Sequence, residues 1–279
     1  MTKVFDFNKN IEPETELKDS VFILGSFEAI HKGHQQLIDI AKQNGDAVTL
    51  MMISNPQVLP KSKDKAFMDL KSRIQMAANL KVDNILLIEF NEYTKNLEGE
   101  RFLEILKQLG AKYFVAGSDF KLGKGGKTTA QDIKNLYKDS IIADFVTQNS
   151  SKISTSLLKE NLFISNFKYI NEVLVQPYLM NVKIDFRKQI YFSEDLMDLV
   201  PGIYYCKFIY NNKKYLCYLH ISYKDQKVKI YFLNLDIEIE DIIEGYIEIL
   251  DTKRIIVSEQ NDKVFDNEAQ EIEDFFVSL

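Results

Sequence analysis

Two histidines stand three residues apart in the tetrapeptide His31-Lys32-Gly33-His34, and the chain holds only three in all. Imidazoles at that spacing suit phosphate chemistry if a helix begins at them. The free N–H groups and the positive dipole end of a helix start form an anion site. Glycine at 33 lets a phosphate approach the backbone. Two imidazoles beside it can donate hydrogen bonds to phosphate oxygens. Two ordinary loop histidines are the other reading, and the flanking elements weigh against it. Val21–Leu24 is a short apolar run of the kind found in a buried strand, and Gly25 and Ser26 break it. A helix is expected to start near Gly33–His34, because Leu37, Ile38 and Ala41 recur at helical spacing and Asn44–Gly45 is a stop signal. His34 lies one turn before Leu37–Ile38 and is expected to share their inward face.

A second stretch, Gly117 to Gly126, has four glycines in ten residues, and such a loop can lie close to a ligand. Gly126-Lys127-Thr128 at its end invites a P-loop reading. That motif needs a glycine five residues before its Gly-Lys, and Lys121 stands there, so the P-loop is rejected. A third stretch, Lys152–Leu162, carries the consecutive hydroxyls Ser154, Thr155 and Ser156 near an expected helix start. Hydroxyls there can cap the helix.

The elements that position these groups read as strands alternating with helices. Ala47–Ile53, Asn84–Phe90, Lys112–Ala116 and Ser140–Val146 are further expected strands, and the continuous apolar run of the first fits a strand buried on both faces. Met68–Leu80, Leu97–Leu109, Thr129–Tyr137 and Lys152–Leu162 are expected helices, with Gly110 as a C′ residue. Arg73, on the first of these, has a solvated helix charge as its plain reading. The pattern βαβαβαβαβα makes an α/β doubly wound parallel sheet. Its ligand is expected outside the carboxyl ends of the strands, where Gly25, Gly117 and the break at Ser54–Pro56 all fall.

Composition shifts near Asn166–Pro177. Gly202–Tyr210 and Lys213–Tyr223 flank Asn211–Asn212, which tolerate left-handed angles and so suggest a hairpin turn. A two-residue turn would set Cys206 opposite Cys217, as neighbouring reduced thiols. Val228–Leu233 and Tyr246–Leu250 read as strands and Glu268–Phe276 as a helix. A smaller antiparallel β-barrel with a terminal helix fits, giving domains of 1–165 and 166–279.

With these motifs in hand, LGSFEAIHKGHQQLI resembles the first signature of the H-x-G-H nucleotidylyltransferases, and more closely the N-terminal module of the bacterial bifunctional riboflavin kinase/FAD synthase family. Gly25, Phe27, His31, Gly33, His34 and Gln35 match its G-N-F-D-G-V-H-x-G-H-Q pattern. Ser26, Glu28 and Ala29 replace the usual Asn, Asp and Gly. Gly117, Asp119, Phe120, Gly123, Lys124 and Gly125 match G-x-D-F-x-F-G-K-G, with Leu122 for the second Phe. Ser154, Thr155, Ser156 and Lys159 resemble I-S-S-T-x-x-R/K, with Ser and Thr transposed. Of the family's Phe-x-Pro-His-Pro element only Pro56 remains, and Arg73 resembles a family arginine. The likeness covers ~160 residues well and the remaining ~110 only by shape.

The resemblance implies transfer of the adenylyl group of ATP to FMN, giving FAD and pyrophosphate. It implies catalytic roles for His31, His34 and Lys159. It places ATP at Gly25, Ser26, Phe27, Gly33, Gly117, Ser154, Thr155 and Ser156, and flavin at Asp119, Phe120, Gly123 and Lys124. Mg²⁺ is implied through the ATP phosphates, with no metal ligand from the protein. The family's kinase signature G-x-P-T-A-N is absent from Asn166–Ser193, and Lys229 stands near where the resemblance expects a glutamate base. The barrel is therefore expected to survive without riboflavin kinase activity, as a remnant, a support or a surface for self-association. A transferase with another phosphate acceptor, or a flavin- or nucleotide-binding protein that has lost its chemistry, are the competing readings.

The 279 residues carry 35 Lys+Arg against 41 Asp+Glu, a net charge of −6, with no dense basic stripe to bind nucleic acid. The opening MTKVFDFNKN has no apolar core of a signal peptide, and no apolar stretch approaches a membrane span. With two cysteines, the expected setting is the reducing cytoplasm and the expected partners are small molecules.

Overall fold

The computed structural model describes residues 1–7, 17–45, 47–60, 65–144, 146–148, 151–233 and 239–277. Part of the expected strand Ser140–Val146 lies outside them. The chain forms two compact units, one of Met1–Ala66 with Arg73–Ile153, the other of Phe67–Ser72 with Ser154–Leu279.

The first unit is built on six parallel strands: β1 (Lys3–Asp6), β2 (Ser20–Leu24), β3 (Val48–Ile53), β4 (Asn84–Ile88), β5 (Ala111–Gly117) and β6 (Ile141–Ala143). Their order across the sheet is β1-β4-β3-β2-β5-β6. The chain runs outward from β2 through β3 to β4, then returns to place β5 on the other side of β2. The strand order thus reverses between β2 and β5, the switch point where open α/β sheets bind ligands. Val21, Phe22 and Ile23 of β2 are wholly buried, as a strand covered on both faces requires.

Helix α1 (Lys32–Asn44) follows β2 and buries Leu37, Ile38 and Ala41, the stripe read from the sequence. Helix α2 (Leu70–Asn79) precedes β4. The helix expected over Leu97–Leu109 is α4 (Gly99–Gln108), and a short helix that the sequence did not announce, α3 (Glu92–Asn96), precedes it. Asn91 starts α3 with a capping box, taking the N–H groups of Tyr93 and Thr94 while Thr94 bonds back to it. Leu97 and Glu98 then turn to extended angles and separate the pair. Phe102, Leu103 and Leu106 of α4 pack on Phe22, Phe114 and Leu86 in the core, and each buried leucine contributes ~2 kcal/mol. Gly110, at φ +112°, ends α4 as the left-handed C′ residue. Helix α5 (Ala130–Leu136) leads into β6.

The second unit holds α6 (Thr155–Phe163), α7 (Phe167–Val173) and a closed barrel. α6 packs against α7, with Leu158 and Leu162 fully buried. By compactness α6 thus goes with the barrel, from Ser154 onward. The barrel strands are β7 (Tyr178–Ile184), β8 (Gln189–Tyr191), β9 (Gly202–Tyr210), β10 (Lys213–Ile221), β11 (Val228–Phe232) and β12 (Ile243–Ile255). They close in the order β7-β8-β11-β10-β9-β12, every pair antiparallel. Asn211 and Asn212, at φ +48° and +60°, make the two-residue turn. Cys206 faces Cys217 in the register the turn sets, and both thiols are free and buried. β12 extends well beyond the expected Tyr246–Leu250. Helix α8 (Asp266–Val277) packs Ile272 onto Ile203 and Tyr205. No helix among the described residues is long and apolar enough to cross a membrane.

Candidate active site

β2 and β5 lie side by side at the switch point, and the two glycine-bearing motifs leave from their carboxyl ends. Gly25 follows β2 and lets the chain fold back sharply. A Cβ there would lie 2.6 Å from the Phe27 ring. Phe27 takes φ +47°, is wholly buried and sets its ring 4.4 Å from that of His34. His31 is the N-cap of α1, and its Nδ1 accepts the His34 N–H at 3.3 Å. That bond leaves the ring proton on Nε2. The His31 and His34 rings stack with centroids 3.7 Å apart and planes 12° from parallel. Gly33 gives the pair room, since a Cβ there would press on the His31 ring at 3.2 Å.

Both imidazoles are neutral at neutral pH. Burial pulls His31 down to about 4; the charge of Lys152 adds to this and that of Asp119 opposes it. His34 is lowered well below the usual histidine value by burial and by the His31 ring, against a backbone hydrogen bond at Ala29. His34 Nδ1 is buried and has no hydrogen-bond partner among the described residues. An unsatisfied buried nitrogen costs stability, and here it stands beside a helix N-terminus that favours anions.

Lys152 is the site residue missed in the sequence. It lies on a two-residue strand, Ser151–Lys152, paired with Thr147–Gln148. Its ammonium pairs with the Asp119 carboxylate, so the loop after β5 meets the segment after β6 beside His31. Only the pairing of short strands after β6 brings it there, and no spacing rule announces that.

The loop after β5 is a folded element. Lys121–Leu122 pairs with Thr128–Thr129, and Leu122 is buried in the core. Phe120 is half-buried against that core. Gly123, at φ +77°, backs onto the start of α4, where a Cβ would stand 2.4 Å from Gly99 N. Lys124 is exposed and donates its N–H to the Leu97 carbonyl at 2.7 Å. Gly117 and half-buried Ser26 flank the cleft ends of β5 and β2.

Ser154, Thr155, Ser156 and Lys159 belong to the second unit. Ser154 is the N-cap of α6 and takes the Leu157 N–H at 3.3 Å. Thr155 and Lys159 are half-buried, and Ser156 is exposed. The barrel carries a cleft of about 550 Å³ lined by His220, Ser222, Lys227, Lys229, Tyr231 and Asp262. His220 Nε2 and Asp262 Oδ1 are 2.8 Å apart there.

A doubly wound parallel sheet with stacked imidazoles on the helix after β2 defines a nucleotidylyltransferase-type domain. A model of the FAD synthetase family matches residues 13–157, and the chain belongs to that family. It is 29% identical over 177 residues to a bifunctional riboflavin kinase/FMN adenylyltransferase of Bacillus subtilis, across 59% of this chain and 56% of that one. It is 25% identical over 181 residues to the protein of that name in Buchnera aphidicola, across 60% and 58%. A match to the Listeria monocytogenes protein of that name runs further, 26% over 252 residues, covering 79% and 80%. The chain thus spans just over half the length of the first two relatives. A solved structure described as a macrolide-efflux protein of Streptococcus pneumoniae superposes over the whole chain and 97% of its own, with a TM-score of 0.79 at 20% identity. That likeness is one of fold.

Proposed function

We propose that this chain transfers the adenylyl group of ATP to FMN, releasing pyrophosphate and FAD, and that its barrel no longer phosphorylates riboflavin. The observation that carries the first part is the stacked, neutral imidazole pair at the N-terminus of α1, beside Lys152 and at the switch point. An FMN phosphate oxygen attacks the α-phosphorus of ATP, one P–O bond forms, and the bond to the β-phosphate oxygen breaks. No covalent intermediate with the protein is required. Catalysis is positioning and charge stabilisation. The His31 Nε2–H donates to a phosphate oxygen. A triphosphate beside His34 favours its protonated form, and Nδ1 then donates as well. In this reading Lys159 and the hydroxyls of Ser154, Thr155 and Ser156 hold the β- and γ-phosphates. Gly25, Ser26, Phe27, Gly33 and Gly117 shape the ATP side, and Asp119, Phe120, Gly123 and Lys124 the flavin side. The working domains are 1–165 and 166–279.

Magnesium would enter with the nucleotide. In this reading its hard oxygen ligands would come from the phosphates and water. The reading also carries a cytoplasmic location with small-molecule partners, and self-association as a role for the barrel.

The second part is supported by Lys229. It stands in the barrel cleft, in register with His220 across β10–β11, and an ammonium cannot take a proton from a hydroxyl. Incubation with ATP, Mg²⁺ and either FMN or riboflavin, followed by chromatography of the flavins, tests both parts. FAD from FMN and no product from riboflavin is expected. Phosphorylated riboflavin would overturn the kinase reading, and absence of FAD from FMN would overturn the synthase reading.

A further inference from the structure

Among the described residues Arg73 heads the wholly buried side chains by volume, at 1% exposure. It reaches the carboxyl ends of β2 and β3. Nη1 donates to the Ile53 carbonyl at 2.7 Å and the Phe27 carbonyl at 3.4 Å, and Nη2 donates to the Ser54 carbonyl at 3.0 Å. The guanidinium therefore clasps two loops at once, the one running from β2 to α1 and the one leaving β3. The Ile53 N–H to Ser26 carbonyl bond, 3.1 Å, joins the same two loops. A guanidinium stays charged and presents its donors in one rigid plane. It fixes the spacing and angle of its acceptors as a lysine ammonium does not.

Phe27 makes this more than loop support. Its carbonyl is one of the acceptors, its backbone sits at φ +47°, and its ring rests 4.4 Å from His34. Rotation of that peptide moves the ring on which His34 lies, and His34 carries the stack with His31. Burying a guanidinium also carries a desolvation cost that apolar packing avoids, so stability alone is a poor reason to place one here. We propose that Arg73 is a positioning residue for the imidazole pair, acting through Phe27 on the angle at which His34 meets the phosphate. Phosphoryl-type transfer is sensitive to such placement, and misplacement by about 1 Å can cost a hundredfold in rate.

The test uses the full chain with Arg73→Lys, which keeps a charge and loses the fork, and Arg73→Met. The Cε1–H resonances of the three histidines are recorded by NMR with labelled histidine, and kcat and KM are measured for FAD formation. His220, in the barrel unit, is the internal control. The expected result is movement of the His34 and His31 resonances with His220 unchanged. In Arg73→Lys, kcat is expected to fall about 10- to 100-fold with KM for ATP held within about threefold. Only the kinetic arm rests on the proposed synthase activity. If the wild-type chain makes no FAD, the resonances still decide the role of Arg73. Unmoved His31 and His34 signals in a folded Arg73→Lys variant would overturn the proposal, as would wild-type kcat in that variant. Failure of both variants to fold would also overturn it, by making the guanidinium a requirement of the fold. If only Arg73→Met fails, Arg73→Lys decides.

Discussion

The His31 ring lies flat on that of His34 while taking the backbone N–H of His34 on its own Nδ1. One residue thus caps the helix and fixes the tautomer presented at the site. The arrangement cannot carry two charges at once, since two adjacent imidazolium rings repel. The folded value of about 4 for His31 lies below the unfolded 6.5, so the unfolded chain binds more protons between them. Stability from this pair is complete above about pH 6.5 and is lost as pH falls toward 4, by about 3 kcal/mol for His31 alone. Urea denaturation of wild type and His31→Asn across that range measures it. The acid loss should shrink in the variant; equal slopes would contradict it.

His34→Ala removes the buried donor of the pair. Turnover of FMN to FAD is expected to drop about a hundredfold or more, the usual effect of losing a charge-stabilising group. Steady-state assay of pyrophosphate release reads it. Near-normal turnover would take His34 out of the mechanism.

Lys152→Met separates catalysis from stability at the Asp119 pair. Both partners are well exposed, so unfolding free energy should change by less than about 1 kcal/mol. The efficiency kcat/KM for ATP is expected to fall about tenfold or more as the phosphate site loses a cation. Paired thermal melts and kinetics would reveal the opposite pattern, a large melting shift with intact catalysis, if Lys152 served only the fold.

Two neighbouring glycines should respond unequally to alanine. Gly123 and Gly125 both have left-handed φ, +77° and +66°. A Cβ at Gly123 strikes Gly99 N at 2.4 Å, whereas one at Gly125 meets nothing within 4 Å. Gly125→Ala should cost about 1 kcal/mol for the backbone angle alone, and Gly123→Ala about 2–3 kcal/mol or more as the loop is pushed off α4. Chemical denaturation of the two variants compares them directly.

The strands of the first unit were legible because a parallel sheet covered on both faces leaves continuous apolar runs. Val21–Leu24 and Ala47–Ile53 gave β2 and β3 within a residue of their limits. Helix α3 was not legible, because its five residues bury nothing and carry no apolar stripe, and its one signal is the cap at Asn91. β7 was hidden because the mixed sequence YLMNVKI alternates weakly, and its burial comes from closure against β12. The imidazole pair could be read, since its partners are local. Arg73 and Lys152 could not be settled. A long cation on a helix or a short strand looks solvated until tertiary structure brings distant carbonyls, or a carboxylate 33 residues away, to meet it.

Closure of the barrel has a consequence for assembly. Every strand from β7 to β12 has a hydrogen-bonded neighbour on both sides, so none of them stands at the edge of an open sheet. The open rows belong to the parallel sheet, where β1 and the three-residue β6 stand at the two edges. Among the described residues, strand-to-strand recruitment, whether into a functional complex or into an aggregate, has those two short borders and the edges of the two-residue pairs to use. Contacts made by the barrel must instead be written in side chains, and surface substitutions there can retune them without disturbing a single rung of the ladder.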